Sequence, residues 1–221
     1  MTELTTEAVD LPLADTSDMV EMHRVFRNAL SQAPDLIGSV APGDSERRAL
    51  VGAYYANVLR LLHAHHDGED LLLTPKLIER NPQHVEEINA VAAQHSQVQP
   101  LIEATEAGLT AWQPNPGSTA ALLASAGELQ AALTAHLDSE EQQILPLASG
   151  CINVREWGEL PAHGLGNFDG DRLWLVLGLI RAELSTANRA DMDAHLPPPV
   201  AAMWAVTGQA EFQAFVAQLQ Q

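Results

Sequence analysis

Apolar positions recur at i, i+3 and i+4 along most of the chain, the spacing of helices that bury one face. Met19, Met22, His23, Phe26 and Leu30 share such a face in a first helix, which starts in the Asp15–Asp18 region and stops near Ala33, before Pro34. After the loop PDLIGSVAPGD, Ser45 is the expected N-cap of a long second helix reaching Arg80, with Leu50, Tyr54, Val58, Leu61, Leu62 and Leu72 among its apolar positions. Asn81-Pro82 reads as the N-cap and first position of a third helix that runs to about Trp112. The loop QPNPGS breaks the pattern, and Ser118 caps a fourth helix reaching about Ala148. Alternating β-branched runs closed by tight turns, the mark of strands, are absent. The pattern predicts an all-α fold: an antiparallel up-down-up-down four-helix bundle over residues 15–148. Beyond Gly150 the segments shorten, three of the four Trp residues appear and Pro197-Pro198-Pro199 interrupts the chain. Residues 151–221 are expected to form a C-terminal helical extension of three or four additional short helices, packed on the bundle or against a second copy.

Within the second helix His65 and Glu69 stand at i, i+4, and Pro75 follows six residues after the glutamate. The fourth helix repeats this with His136, Glu140 and Pro146. One helix earlier in each case stands a lone histidine: His23 precedes His65 by 42 residues, and His95 precedes His136 by 41. The unit recurs at an offset of half a bundle, which marks an internal duplication. Residues at i, i+4 lie above one another on a single helical face, so both pairs can point into the bundle axis, with His23 and His95 opposite them. Four neutral imidazoles and two carboxylates converging from four helices suit a pair of divalent metals. Imidazole and carboxylate without thiolate favour two iron ions over manganese or zinc. One such pair alone is often a surface contact worth a few tenths of a kcal/mol. The same spacing twice, with matching lone histidines, is what makes His23, His65, Glu69, His95, His136 and Glu140 the candidate metal ligands.

Other polar residues fit that picture less well. His66 and Asp70 form a second i, i+4 pair about 100° round the helix; solvent exposure is the simpler reading, a fifth imidazole ligand the alternative. Tyr54 lies three turns before His65 and reads as core, with a hydroxyl that could reach the site or order a bound ligand. His63, His84, His163 and His195 have no partner at useful spacing and read as structural or surface residues, His163 being the one left open. Asp138 and Glu141 read as solvated neighbours. The Glu-x-x-His spacing of ferritin-like di-iron bundles is not followed, since here the histidine comes first and the interval is four.

Charge and composition narrow the partners. Against 29 Asp and Glu stand 11 Lys and Arg, a formal net charge of −18. So acidic a surface repels phosphate backbones and anionic lipid, which argues against nucleic acid and membrane partners. Cys151 is the single cysteine, so neither a disulfide framework nor a four-Cys zinc site is available. The opening residues are acidic and lack an apolar signal region, and the apolar stretch 173–180 is far short of a membrane span. A cytoplasmic protein is expected, with homo-oligomerisation left open.

Together His23, His65-Glu69, His95, His136-Glu140 and the two prolines resemble the haemerythrin family, in particular the bacterial HHE cation-binding domain, over residues 15–148. The resemblance implies a non-haem di-iron centre with Glu69 and Glu140 as bridges and the four histidines as terminal ligands. The oxygen-carrying members have five histidines, two of them at i, i+4 on the third helix. Here Val91 and Gln99 stand at those places around His95, and the second carboxylate follows its histidine by four residues instead of five. Both departures are like the wider bacterial group, which is linked to oxygen or redox sensing and to peroxide or nitric oxide handling. The resemblance therefore implies O2, peroxide or nitric oxide as the small ligand, bound for sensing or converted by an oxidoreductase reaction. A metal-stabilised bundle that works by docking a partner through its C-terminal region is the non-catalytic alternative.

Overall fold

The computed structural model describes residues 11–168 and 172–221; the expectation about the opening residues falls largely outside them. The fold is all-α, and among the described residues the only extended pairing is an isolated bridge between Leu13 and Asn153. Four helical rods form the bundle: α1 (Ser17–Ser31), α3 (Ser45–Gly68), α5 (Val85–Trp112) and α6 (Thr119–Ser139), with α2 (Ala33–Gly38) between the first two. Each rod packs on two others in a ring, α1 on α3 and α6, α5 on α3 and α6.

Three local expectations are corrected. The first helix stops at Ser31, before Pro34 as expected, but no loop follows directly. The chain bends at Gln32 and continues as α2, with Pro34 in its first turn, where the missing N–H has no helical partner to lose. Asp44, not Ser45, caps α3, its carboxylate accepting from the Arg47 N–H at 2.8 Å. Asn81 precedes a short 3₁₀ turn (Pro82–His84) instead of capping α5 directly, and its side chain turns back to the Leu77 carbonyl at 3.0 Å.

The second and fourth rods each change pitch at the glutamate. Glu69–Leu73 and Glu140–Ile144 are π-helical turns, after which α4 (Thr74–Arg80) and α7 (Leu145–Cys151) resume ordinary pitch. The Thr74 N–H donates to the Glu69 carbonyl, and the Leu145 N–H to that of Glu140. Pro75 and Pro146 explain the position, because a proline cannot donate to the carbonyl four residues back and its ring crowds that oxygen. The wider turn also solves a problem of register. In an α-helix residues four apart drift about 40° per step. His65, Glu69, Leu73 and Leu77 follow at intervals of four, as do His136, Glu140, Ile144 and Ala148, and all of these side chains face inward.

The core is consequently split in two. Met19, Leu73, Leu77, Ile88, Val91 and Ile144 form part of one apolar cluster. Phe26, Leu61, Leu62, Val98, Leu133 and many others form the larger one. In each rod the switch between clusters falls at the histidines, so the polar side chains make a layer between two apolar ones.

The C-terminal region exceeds the expected number of segments and packs on the bundle. It comprises α8 (Val154–Trp157), α9 (Glu159–Gly166), α10 (Leu173–Glu183), α11 (Thr186–His195), α12 (Pro198–Met203), a π turn (Trp204–Gly208) and α13 (Gln209–Leu219). Phe168, Leu175, Val176, Phe215 and Leu219 join the larger core cluster. Polar ties are spread along its length. Glu21 accepts from the Ser185 N–H at 2.9 Å and from the Asn188 amide at 3.0 Å, and Arg47 donates to the carbonyls of Gln218 and Leu219, both at 2.6 Å. Arg80 grips Glu156 with two hydrogen bonds of 2.6 and 2.7 Å. Among the described residues no helix is long and apolar enough to cross a membrane.

Two outcomes follow from this packing. The Arg80 guanidinium bonded to Glu156 holds its carboxyl down at about 2, so the contribution of the pair is complete above the ordinary value of 4.5 and is lost as the pH falls toward 2. Glu156→Gln should cost about 1 kcal/mol in urea unfolding at pH 7, a gap that closes between those limits. Equal stabilities at pH 7 would show the pair to be inert. At Gly178 a Cβ would run into the Phe212 ring, so α10 and α13 meet there without a side chain between them. Gly178→Ala should destabilise by about 1–2 kcal/mol, the overpacking exceeding the gain in helix propensity; a stabilised variant would refute that close approach.

Candidate metal centre

α1 contributes His23, α3 contributes His65 and His66, α5 contributes His95 and α6 contributes His136; the two π turns contribute Glu69 and Glu140. His23 Nε2 lies 3.4 Å from Glu140 Oε2, and His136 Nε2 lies 3.8 Å from the same oxygen. His65 Nε2 lies 3.4 Å from Glu69 Oε1, and His95 Nε2 lies 3.6 Å from Glu69 Oε2. All six sequence-predicted side chains therefore converge. Two donor groups stand out: His66, His95 and His136; and His23, His65, Glu69 and Glu140. Within each, one donor atom per residue lies within 4.8 Å of the others.

The outer face of the layer is occupied by hydrogen bonds that aim the rings. His23 Nδ1 meets Glu141 Oε1 at 2.8 Å, and His95 Nδ1 meets Asp70 Oδ1 at 2.7 Å. A carboxylate can only accept, so Nδ1 carries the proton in each ring and the Nε2 lone pair turns inward. His136 Nδ1 meets the Gln94 amide oxygen at 3.2 Å, which fixes the same tautomer. Arg27 backs this arrangement with bonds of 3.1 Å to Glu141 and 2.8 Å to Asp138. Hydrogen bonds from His23 and then Arg27 hold the Glu141 carboxyl below its usual range.

The inner face is the reverse. The Nε2 atoms of His23, His65, His66, His95 and His136, both oxygens of Glu69 and Oε2 of Glu140 are buried without a hydrogen-bond partner. Each such atom costs on the order of 1–3 kcal/mol, more when charged, so a layer of them requires a compensating group. Burial, then the nearby Glu140, pushes the Glu69 carboxyl well above its ordinary range. Burial, then neighbouring imidazoles, pushes His65 and His66 well below 6.5 and His136 down to about 3. The rings pushed down are thus neutral at physiological pH, the form that offers a lone pair. The orphaned atoms, their convergence and the absence of thiolate fit a pair of metal ions.

His66 is the main correction to the sequence reading. It is 5% exposed, stacks on His95 with ring centres 4.3 Å apart, and lies 5.1 Å from His136. Because α3 sits between α1 and α5, residues 100° apart face different neighbours: His65 faces His23 at 5.3 Å while His66 faces His95. Asp70 serves His95 instead of His66. Glu141, read as solvated, is half-buried and bonded to His23; Asp138 is exposed but tied to Arg27. A signal for this existed in the sequence. Each inward glutamate is followed by a second acid, Asp70 or Glu141, and each of these reaches the lone histidine of the other half of the bundle. Tyr54 is core, edge-on to Tyr55, and burial pushes its hydroxyl up to about 12. His163 lies against Gly68, outside both donor groups, with its Nε2 buried and unpartnered. His63, His84 and His195 pair with Glu106, Glu87 and Asp191 away from the centre.

Comparison with known proteins adds one finding: residues 14–148 match the family described as Hemerythrin HHE cation binding domain. No curated protein and no solved structure matches the chain. The matched segment is the bundle that carries every donor described above, and the chain belongs to the haemerythrin HHE cation-binding family.

Proposed function

We propose that the chain holds a non-haem di-iron centre and uses it to bind O2 or a related small redox molecule for sensing. The observation that carries this reading is the layer of eight inward-facing donor atoms with no hydrogen-bond partner. His66, His95 and His136 would hold one ion and His23 and His65 the other, with Glu69 and Glu140 shared between them. His66 restores a fifth imidazole, supplied by the second helix where the oxygen carriers use the third. Five imidazoles and two carboxylates would hold the two ions without filling every position on them, which would leave room for a small ligand.

Iron would supply reversible electron donation to a bound diatomic; the protein's own part is placement and exclusion. Glu141, Asp70 and Gln94 hold three rings in the metal-binding tautomer. The apolar clusters on either side keep bulk water away. A nearly complete imidazole set favours binding over turnover; peroxide or nitric oxide conversion at the same position is the competing use.

Metal analysis of the aerobically purified full chain should give two irons per chain, with near-ultraviolet bands of an oxo-bridged pair. No iron, or one zinc, refutes the centre. His66→Ala should lose at least one iron per chain while keeping helix content, whereas full iron retention removes His66 from the ligand set. The two states of the protein should also respond oppositely to Glu69→Gln. After chelation the variant should be more stable than the parent by about 1–3 kcal/mol, because its amide N–H groups can donate to the orphaned imidazole nitrogens and it no longer crowds Glu140 with a second acid. With metal it should be less stable and bind less iron. Destabilisation in both states would mean that Glu69 has another partner.

A further inference from the structure

A cavity of about 100 Å³ lies where α1 and α3 meet α8 and α9. Its inner end is formed by His65 and Glu69, and its outer wall by Trp157, Leu160, Pro161 and Gly164. These wall residues lie beyond the segment that matches the family. The lining runs from exposed Pro161 to Glu69, which is 2% exposed, so it leads from the surface to the donor layer. We infer that this cavity is the entry chamber of the centre, that α8 and α9 are its selectivity element, and that it admits uncharged diatomic molecules.

The chemistry of the walls carries the choice of ligand. No lysine or arginine lines the cavity, and its ionisable residues are Asp18, His65 and Glu69. With no lysine or arginine in the walls to pair with, an anion such as azide or nitrite would give up its hydration on entering and gain no counter-charge there. The remaining lining is apolar or glycine apart from the Trp157 indole N–H, and that donor is already used. It bonds to Asp18 Oδ1 at 3.0 Å and to Oδ2 at 3.2 Å. A hydrogen-bonding ligand such as peroxide would leave water for a chamber with little to offer it, whereas O2 or nitric oxide loses almost nothing. The same bond pins α8 to α1, and the Arg80–Glu156 pair pins it to α4, so the wall is held in place from two sides. Gly68 forms part of the floor, and a Cβ there would come within 3.3 Å of the His163 ring, so α9 lies close over α3.

The inference rests on the proposed di-iron reading for what the chamber serves, and the test separates the two. Crystals of the full chain pressurised with xenon should show xenon between Leu160 and His65. Leu160→Trp should remove that xenon and slow nitric oxide association with the reduced protein roughly tenfold or more, at unchanged iron content. Leu160→Ala, which enlarges the chamber, should keep the xenon and bind nitric oxide at least as fast. Wild-type crystals without xenon at this position, or an unchanged association rate in iron-replete Leu160→Trp, overturn the chamber. Xenon in a protein that takes up no metal overturns the di-iron reading instead, and with it the role assigned to the chamber.

Discussion

The constraint on which the rest depends is a layer of unsatisfied buried donors across the middle of the bundle. Five imidazole nitrogens and three carboxylate oxygens face one another without a proton to share among most of them. A protein core ordinarily excludes such a set, because each atom forfeits its bonds to water and gains nothing in return. Here the arrangement is enforced from outside. Nδ1 bonds fix three of the rings, π turns fix both glutamates, and apolar clusters above and below close the layer. The bundle is organised to keep these atoms hungry for a cation.

The duplication gives this enforcement a reciprocal form. Glu69-Asp70 and Glu140-Glu141 occupy equivalent places, and each pair divides its labour: the first acid turns in, the second reaches a histidine of the opposite half. His23 is thereby tied to the fourth rod and His95 to the second. The two outer acids are not electrically equal. Glu141 is half-buried and shared with Arg27, while Asp70 is more than half exposed. Solvent damps the influence of Asp70, so the two ends of the layer differ in electrostatic character despite their common origin.

Much of this was legible in the residues. Helical periodicity sufficed for the bundle, and the repeated intervals from histidine to glutamate to proline picked out six converging side chains. His66 reads first as solvent-facing, with a fifth ligand only as the alternative, because spacing along one helix does not say how many neighbours that helix has. Two residues 100° apart can both be interior when the rod sits between two others. The outer carboxylates escaped because a run of acids next to a ligand reads as solvent-facing until the adjacent rod is placed. The π turns were hidden for a different reason: the prolines were visible, but only the backbone shows that the strain is taken up before them and not at them. Beyond residue 150 the periodicity is short and interrupted, so the tertiary contacts that fold the extension over the second rod leave little trace in any local window.

Those widened turns have a further consequence, for how the chain can vary. An α-helical segment that loses a residue rotates everything downstream by about 100°. From His65 to Leu77, and from His136 to Ala148, such a rotation would swing an inward glutamate or a core leucine toward solvent. Substitutions there can be absorbed one side chain at a time; a change in length cannot. The interval between each histidine and its proline behaves as a gauge, and a change in length should be tolerated best in the connections between rods.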